Sequence, residues 1–435
     1  MKYNKIFLFI AFALLASGVS AQRVWTLEEC VDTALANNRT IKQQQLNYKS
    51  REIAYNQAKA NLLPNLNASA NQSFNFGRSL GVDNTYLKSN SKNTSLGISS
   101  ELTLFDGMKM KYSIEARKAE LLAAGADVQK VEKDIILNVS TIFLQVLQNK
   151  ELLQNAVNQL ELTRSNIERR KELINAGKLA EGELYELQAQ EAKEELSRVQ
   201  AENALQLSLL DLSQVLELND FRGMDVKVPA NLMENELALL SADEVYNTAV
   251  LSRPEIKSAE YLLQSNEKNI SIAKSGYLPK LNFGAQWGTG YYNMSYLAKN
   301  SPFKDQLSNN MSTALGFNLS IPIFNRFDVR NQVKNARLSV ENSKIEIEKA
   351  KIDLQKSIQQ AYYNALAAKN RWESSQKSVK ANEESYRFAS QKFESGRANQ
   401  YEVNQAKTNL TQSLSEQTQS KYEYVFRMKL LELMK

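Results

Sequence analysis

The chain repeats itself, and that constrains its fold more than any other feature. Residues 26–66 align without a gap on 241–281, and twelve of the 41 pairs are identical, among them Glu29/Glu244, Thr33/Thr248, Ile41/Ile256 and Lys59/Lys274. The block closes on Leu63-Pro64-Asn65-Leu66 against Leu278-Pro279-Lys280-Leu281. Later landmarks recur at an offset of 219, Phe105 with Phe324 and Gly177 with Gly396. An ordered series of matches means a duplication, so any fold must build the same unit twice.

Each copy reads as the same series of elements. A short helix is predicted over 27–37 and 242–251, then a main helix over 40–62 and 254–276, where Pro254 suits a first turn. Pro64 and Pro279 stop the main helices. Two strands follow in each half, 66–76 and 95–104, then 281–291 and 311–323. They alternate strictly: Leu66, Ala68, Ala70, Phe74 and Phe76 share one face, with Gln72 the exception, and Asn and Ser fill the other. Polar loops, 77–93 and 292–310, join each pair. Very long helices are predicted over 108–175 and 327–394, ended by Gly177 and Gly396 as left-handed caps. Heptad apolar positions run along them, Val139, Val146, Leu153, Leu160, Ile167 and Ile174 in the first, and Val333, Val340, Ile347 and Leu354 in the second. Returning helices are predicted over 182–217 and 400–433, the second opened by Asn399-x-x-Glu402 as a capping box. With 15 Gly and 6 Pro in 435 residues, few positions are left to interrupt them.

The organisation is therefore residues 1–21, a first repeat 22–217 with its strand–loop–strand at 65–105, a linker 218–240, and a second repeat 241–435 with its strand–loop–strand at 280–324. Residues 1–21 read as a cleavable secretory signal: Lys2 and Lys5, an apolar stretch Ile6–Ala16 too short to span, and Val19-Ser20-Ala21. Without them Lys+Arg falls from 54 to 52 against 48 acidic residues, about +4, and no basic run interleaved with aromatics appears, so nucleic-acid binding is unsupported. Histidine is absent, which excludes catalytic triads and His metal ligands; one cysteine, Cys30, excludes Cys-rich metal sites and intrachain disulfides. No spacing marks a nucleophile or phosphate loop, so no enzyme, cofactor or metal is expected. Cys30 aligns with Val245 and reads as a small buried hydrophobe rather than a lipidation site. Tyr291 and Tyr292, near a strand end, suit an interfacial aromatic girdle.

A main helix and a returning helix together approach the length of the long helix, roughly 100 Å, so the expected object is elongated. Its strands have the length and the two-faced pattern of membrane β-strands. A chain that crosses a membrane without an apolar helix does so as a closed barrel. Four strands cannot close one and about eight is the usual minimum; three chains would give a twelve-stranded pore.

At this point the sequence resembles the TolC-type outer-membrane efflux proteins. The resemblance is carried by Trp25-Thr26-Leu27-Glu28-Glu29-Cys30-Val31, the paired Leu-Pro-x-Leu segments, Leu104-Phe105-Asp106-Gly107, and Gly177 followed by Glu183-Leu184-Tyr185-Glu186-Leu187-Gln188. It covers the whole chain beyond the signal. It implies a mainly α protein with a membrane β part: a homotrimer whose twelve-stranded barrel in the outer membrane stands on a periplasmic α-barrel of helical hairpins. The turns at Gly177 and Gly396 would dock a periplasmic adaptor, which joins an inner-membrane transporter. The implied work is passive conduction in efflux or type I secretion, with outer-membrane lipid as the surrounding partner.

The same resemblance assigns the gate. The family rings its constriction with acidic residues six and nine positions after the second tip glycine, here Glu402 and Gln405, of which only Glu402 keeps the carboxylate. A latch in the family would involve Glu183 with a basic residue two positions after that glycine, which is Ala398 here, with Arg397 one position early. The competing reading is a soluble periplasmic coiled-coil scaffold or adaptor, which leaves the apolar strand faces without a partner.

Overall fold

The computed structural model describes residues 23–80, 84–177, 180–218, 220, 222–229, 240–295 and 300–435; the proposed signal lies outside them. Both copies contain the predicted series. In the first, α1 (Leu27–Asn37), α2 (Arg39–Ala60), β2 (Asn67–Asn75), β5 (Ser91–Phe105), α3 (Lys109–Asn175) and α4 (Gly182–Val215) follow one another. In the second they become α5 (Ala242–Ser252), α6 (Pro254–Ser275), β7 (Lys280–Met294), β8 (Ser312–Ser320), α8 (Asp328–Glu394) and α9 (Gln400–Leu433). The two long helices have 67 residues each and the two returning helices 34 each. Among the described residues no helix is long and apolar enough to cross a membrane.

The chain divides into two compact units that cut across the repeats. One comprises residues 46–127 and 255–350, the other 1–45, 128–254 and 351–435. Each repeat therefore contributes to both.

The first unit holds a four-stranded antiparallel sheet in the order β2-β5-β7-β8. Its two hairpins, one from each repeat, meet along β5 and β7. Register gathers the apolar residues on one face: Ala68, Ile98 and Trp287 stand in one row, which Thr313 completes on β8, and Leu102, Phe283 and Phe317 stand in another. The Phe283 and Phe317 rings are 5.1 Å apart. Gln72, the one polar residue on this face of β2, is answered by Thr94 directly across, whose hydroxyl donates to its Oε1 at 2.6 Å. The edges β2 and β8 have no further strand beside them among the described residues, and β8 is exposed along its whole length.

Three expectations are corrected here. The loops are structured: 77–93 contains a small hairpin of β3 (Arg78–Leu80) and β4 (Tyr86–Lys88), and 292–310 contains α7 (Phe303–Asn309). The Gln306 amide pins α7 by bonding both backbone groups of Tyr292, at 2.9 and 3.0 Å. Strict alternation in β5 also breaks: a register shift between Thr103 and Phe105 sets Phe105 opposite Leu281. Finally, Tyr291 and Tyr292 point to opposite faces, as neighbours in a strand must, so they cannot share one girdle. Tyr291 packs edge-on against Phe303.

Each strand-to-helix junction turns through two consecutive left-handed residues, Gly107 and Met108 (φ 67° and 67°) and Arg326 and Phe327 (φ 53° and 64°), again at the 219 offset. The Asp106 carboxylate then caps α3 by accepting from the Met110 N–H at 3.0 Å. At Gly107 a side chain meets a second obstacle, since an added Cβ would lie 2.8 Å from both the Leu278 Cβ and the Ser275 carbonyl oxygen. Gly107→Ala should therefore cost more than the ~1 kcal/mol typical of a left-handed position, whereas Gly177→Ala, with open space around it, should cost about that alone. Thermal unfolding of the two variants, read by circular dichroism, compares them; an equal loss would contradict this reading.

The second unit carries the packed core. Cys30 and Val245 are both buried, in line with their alignment. Cys30 sits with Trp25, Phe143, Leu147, Leu212 and Val226 in one cluster. The termini of the first repeat are tied there by a feature the sequence did not announce: β1 (Arg23–Trp25) pairs in parallel with β6 (Met224–Val226), which lies in the predicted linker. Lys150 fastens β6 to α3 with bonds of 2.6 and 2.7 Å to Asp225. The capping boxes fall on Thr26/Glu29 and Ser241/Glu244, repeat-equivalent pairs that start α1 and α5.

The predicted heptads Val139, Val146, Leu160 and Ile167, and Val333, Val340, Ile347 and Leu354, are buried. A second seam on α8, Leu338, Ile345 and Ile352, is exposed at 67, 60 and 64%.

Candidate gate and docking tip

Both tips are helix–turn–helix connections whose geometry follows from one glycine each. Gly177 has φ 69° and its N–H donates to the Ile174 carbonyl at 2.8 Å. Gly396 has φ 71°; its N–H donates to Phe393 and the Arg397 N–H to Lys392, at 2.9 and 2.8 Å. That pair of bonds is a Schellman cap, which glycine supplies without a steric penalty. Arg397 thus serves the cap through its backbone; its side chain is exposed and has no ion-pair partner among the described residues.

Asn399 opens α9, its side chain accepting from the Glu402 N–H at 3.0 Å. This is half of the predicted capping box, because the Glu402 carboxylate does not return the bond. Glu402 is exposed and free to face an aqueous space. Gln405, one turn on, is exposed too and donates to Asn409 at 3.1 Å. Continuing the spacing gives Gln412, Glu416 and Gln419, all exposed, with Gln412 donating to Glu416 at 2.8 Å. Glu402 and Gln405 therefore begin a polar stripe along α9, which runs beside the buried row of Ala406, Ser413, Ser420 and Met428. Glu183 is the second residue of α4; its side chain lies outside what the structure describes.

The two tips touch. The Arg170 guanidinium stacks 4.2 Å from the Phe393 ring, and Arg169 lies 3.9 Å from Glu394. Between them is a cavity of about 810 Å³ lined by Asn166, Leu173, Leu187, Tyr386 and Val403 among others.

Lys407 and Gln190 in the wall of this cavity belong to a cluster that sequence reasoning missed. Lys407 and Glu194, with side chains only 6 and 9% exposed, form an ion pair at 3.0 Å. Thr163 accepts from the Lys407 ammonium and donates to the Glu194 carboxylate. Gln190 donates to the same carboxylate at 2.7 Å. Burial lowers the Lys407 pKa below its usual value, against the pull of Glu194. The cluster joins α3 and α4 of one repeat to α9 of the other. A similar knot lies further along, where Glu151 accepts from Lys421 at 2.8 Å and from Tyr422 at 2.9 Å. Burial first, and Glu151 second, raise the Tyr422 pKa.

A family model described as outer membrane efflux protein matches residues 30–217 and 245–432. Protein CyaE of Bordetella pertussis is 24% identical over 354 residues, 80% of this chain and 71% of that protein. Among solved structures, a membrane protein from Pseudomonas aeruginosa superposes with a TM-score of 0.78 at 17% identity, covering 96% of this chain and 93% of that one. The Campylobacter jejuni CmeC outer membrane channel does so with a TM-score of 0.78 at 18% identity, over 94% of this chain and 85% of that one. At such identities the structures carry the fold, while the family match extends over most of the chain. With its paired hairpins, its open membrane-type sheet and its glycine-capped tips, the chain belongs to the outer membrane efflux protein family.

Proposed function

We propose that three copies of this chain form the outer-membrane exit duct of a tripartite efflux or type I secretion system. Repeats 22–217 and 241–435, joined by 218–240, would each supply one strand hairpin and one helical hairpin to the shared wall. The observation that carries the reading is the sheet: four strands with one mainly apolar face and, among the described residues, two open edges, in a chain of the efflux family. An apolar face needs lipid, and an open edge needs another strand. The exposed seam on α8 offers the matching helical contact to a neighbouring copy.

Conduction needs no bond chemistry. The tips at Gly177 and Gly396 would receive the periplasmic adaptor and, through it, the inner-membrane pump. Three copies of Glu402 around the axis would make one acidic ring that attracts cations, and the neutral Gln405 ring beside it would add hydrogen-bonding groups without charge. Arg397, exposed and with no ion-pair partner among the described residues, would meet an acidic group such as Glu183 when copies assemble.

Purified trimer in planar bilayers tests the duct. Stepwise, ohmic conductance is expected, and its absence at every salt and voltage tried would count against a pore. In Glu402→Ala the conductance or its block by divalent cations should change; an unaltered channel would remove Glu402 from the gate.

A further inference from the structure

The junction between sheet and helices carries a set of cations that the duct does not use. Lys59 and Lys274 occupy equivalent positions in the last turns of α2 and α6, and Lys111 and Arg330 do so in the first turns of α3 and α8. All four side chains are exposed, and none has an ion-pair partner among the described residues. The acids nearby have their own partners: Asp106 caps α3, Asp328 accepts from Gln332 at 2.7 Å, and Glu115 pairs with Lys268 at 2.8 Å, with the Lys111 charge a lesser influence one turn away. Lys59 rests on the Tyr55 ring and Arg330 on that of Phe327, at 4.0 and 5.6 Å.

The direction in which these cations face can be read from a cavity of about 810 Å³ on the polar side of the sheet, lined by Thr103, Ser320, Met110, Ser113, Ala273 and Ala336 among others. At about 100° per residue, Lys59, Lys111, Lys274 and Arg330 lie roughly 100–160° round their helices from the residues lining it. They therefore share the side of the apolar face. Just above them that face ends in exposed Leu63, Ile323, Phe324 and Phe327.

We infer that this collar binds the phosphate headgroups of anionic phospholipids in the leaflet that faces the helices. A ring of apolar side chains continuous with the lipid-facing sheet, followed within one helical turn by unpaired cations, matches acyl chains followed by phosphates. Three copies would present twelve such cations. Lys118 and Arg337, also exposed and repeat-equivalent, lie some two turns further down, beyond the headgroup layer.

The inference rests on the sheet spanning the membrane, so its test uses two lipids. Full-length protein in neutral detergent is titrated with phosphatidylglycerol and, separately, with phosphatidylcholine of the same chains, and retained lipid is counted by native mass spectrometry. Phosphatidylglycerol should be retained about tenfold better at low salt, and the preference should fade as salt rises. Replacing Lys59, Lys111, Lys274 and Arg330 together by Gln should abolish the preference, whereas Lys118→Gln with Arg337→Gln, or Arg330→Lys alone, should keep it; trimer content checks that each variant folds. Equal retention of the two lipids by the unaltered protein, or an undiminished preference in the fourfold variant, would overturn the inference. Retention of neither lipid would instead overturn the membrane reading beneath it.

Discussion

Phe317→Arg should strip the protein from the outer membrane. Phe317 is 71% exposed on the single chain, on the lipid-facing side of β8, and its ring contact is with Phe283. On a soluble sheet such a site tolerates most changes within about 0.5 kcal/mol. On the lipid face of a barrel, an arginine near mid-depth costs about 2–4 kcal/mol per chain. Three chains bring about three times that to one assembly, and the lost ring contact adds about 0.5–1.5 kcal/mol each. Leu315→Arg, at 69% exposure on the same face, should behave alike. Immunoblots of washed outer membranes measure the effect. Normal levels of both variants would mean that this face does not meet lipid.

Lys407→Met is the second large effect, and it acts through burial. The substitution leaves the Glu194 carboxylate 9% exposed with Thr163 and Gln190 as donors but without its cation. Removing one partner of a buried pair typically costs about 3–5 kcal/mol. Removing both should cost much less, because desolvation is relieved together with the attraction; Lys407→Met/Glu194→Leu should recover most of the loss. The downward shift of Lys407 points the same way, since burial outweighs the pull of Glu194. Its proton is then held less tightly in the folded chain than in the unfolded one. Stability should accordingly rise as pH climbs from that lowered value toward 10.5. Denaturant unfolding followed by helical signal gives the cycle, and simple additivity of the two single changes would contradict the coupling.

Much of the fold was legible because its determinants are local or periodic. The heptads gave the long helices to within a residue or two at each end, and Gly177 and Gly396 gave the tips, since a left-handed cap is a property of one position. Alternation gave the sheet faces but not the bulge before Phe105, which depends on the partner strand. β1 and β6 have three residues each and lie about 200 residues apart, too short for any period to show. The Lys407 cluster was hidden for a similar reason. Thr163, Glu194 and Lys407 sit on three polar-looking helices, and only packing brings their side chains within 3.0 Å. Glu402 and Gln405 were named only through the resemblance to the family, counted from Gly396; what the structure adds is the exposed stripe on which they lie.

The central claim is that this sheet is one third of a barrel closed by copies of the same chain. Cysteine cross-linking of its two open edges tests that most directly. Cys30 is fully buried, so the native chain is silent to mild oxidants. Ala70→Cys in β2 would be combined in turn with Thr313→Cys, Ala314→Cys and Leu315→Cys in β8. Within one chain the two edges are three strand spacings apart, about 14 Å, too far for a disulfide. Oxidation in outer membranes should therefore give covalent trimers for at least one pair, lost on reduction. Monomers throughout, or dimers as the largest product, would contradict closure by three copies.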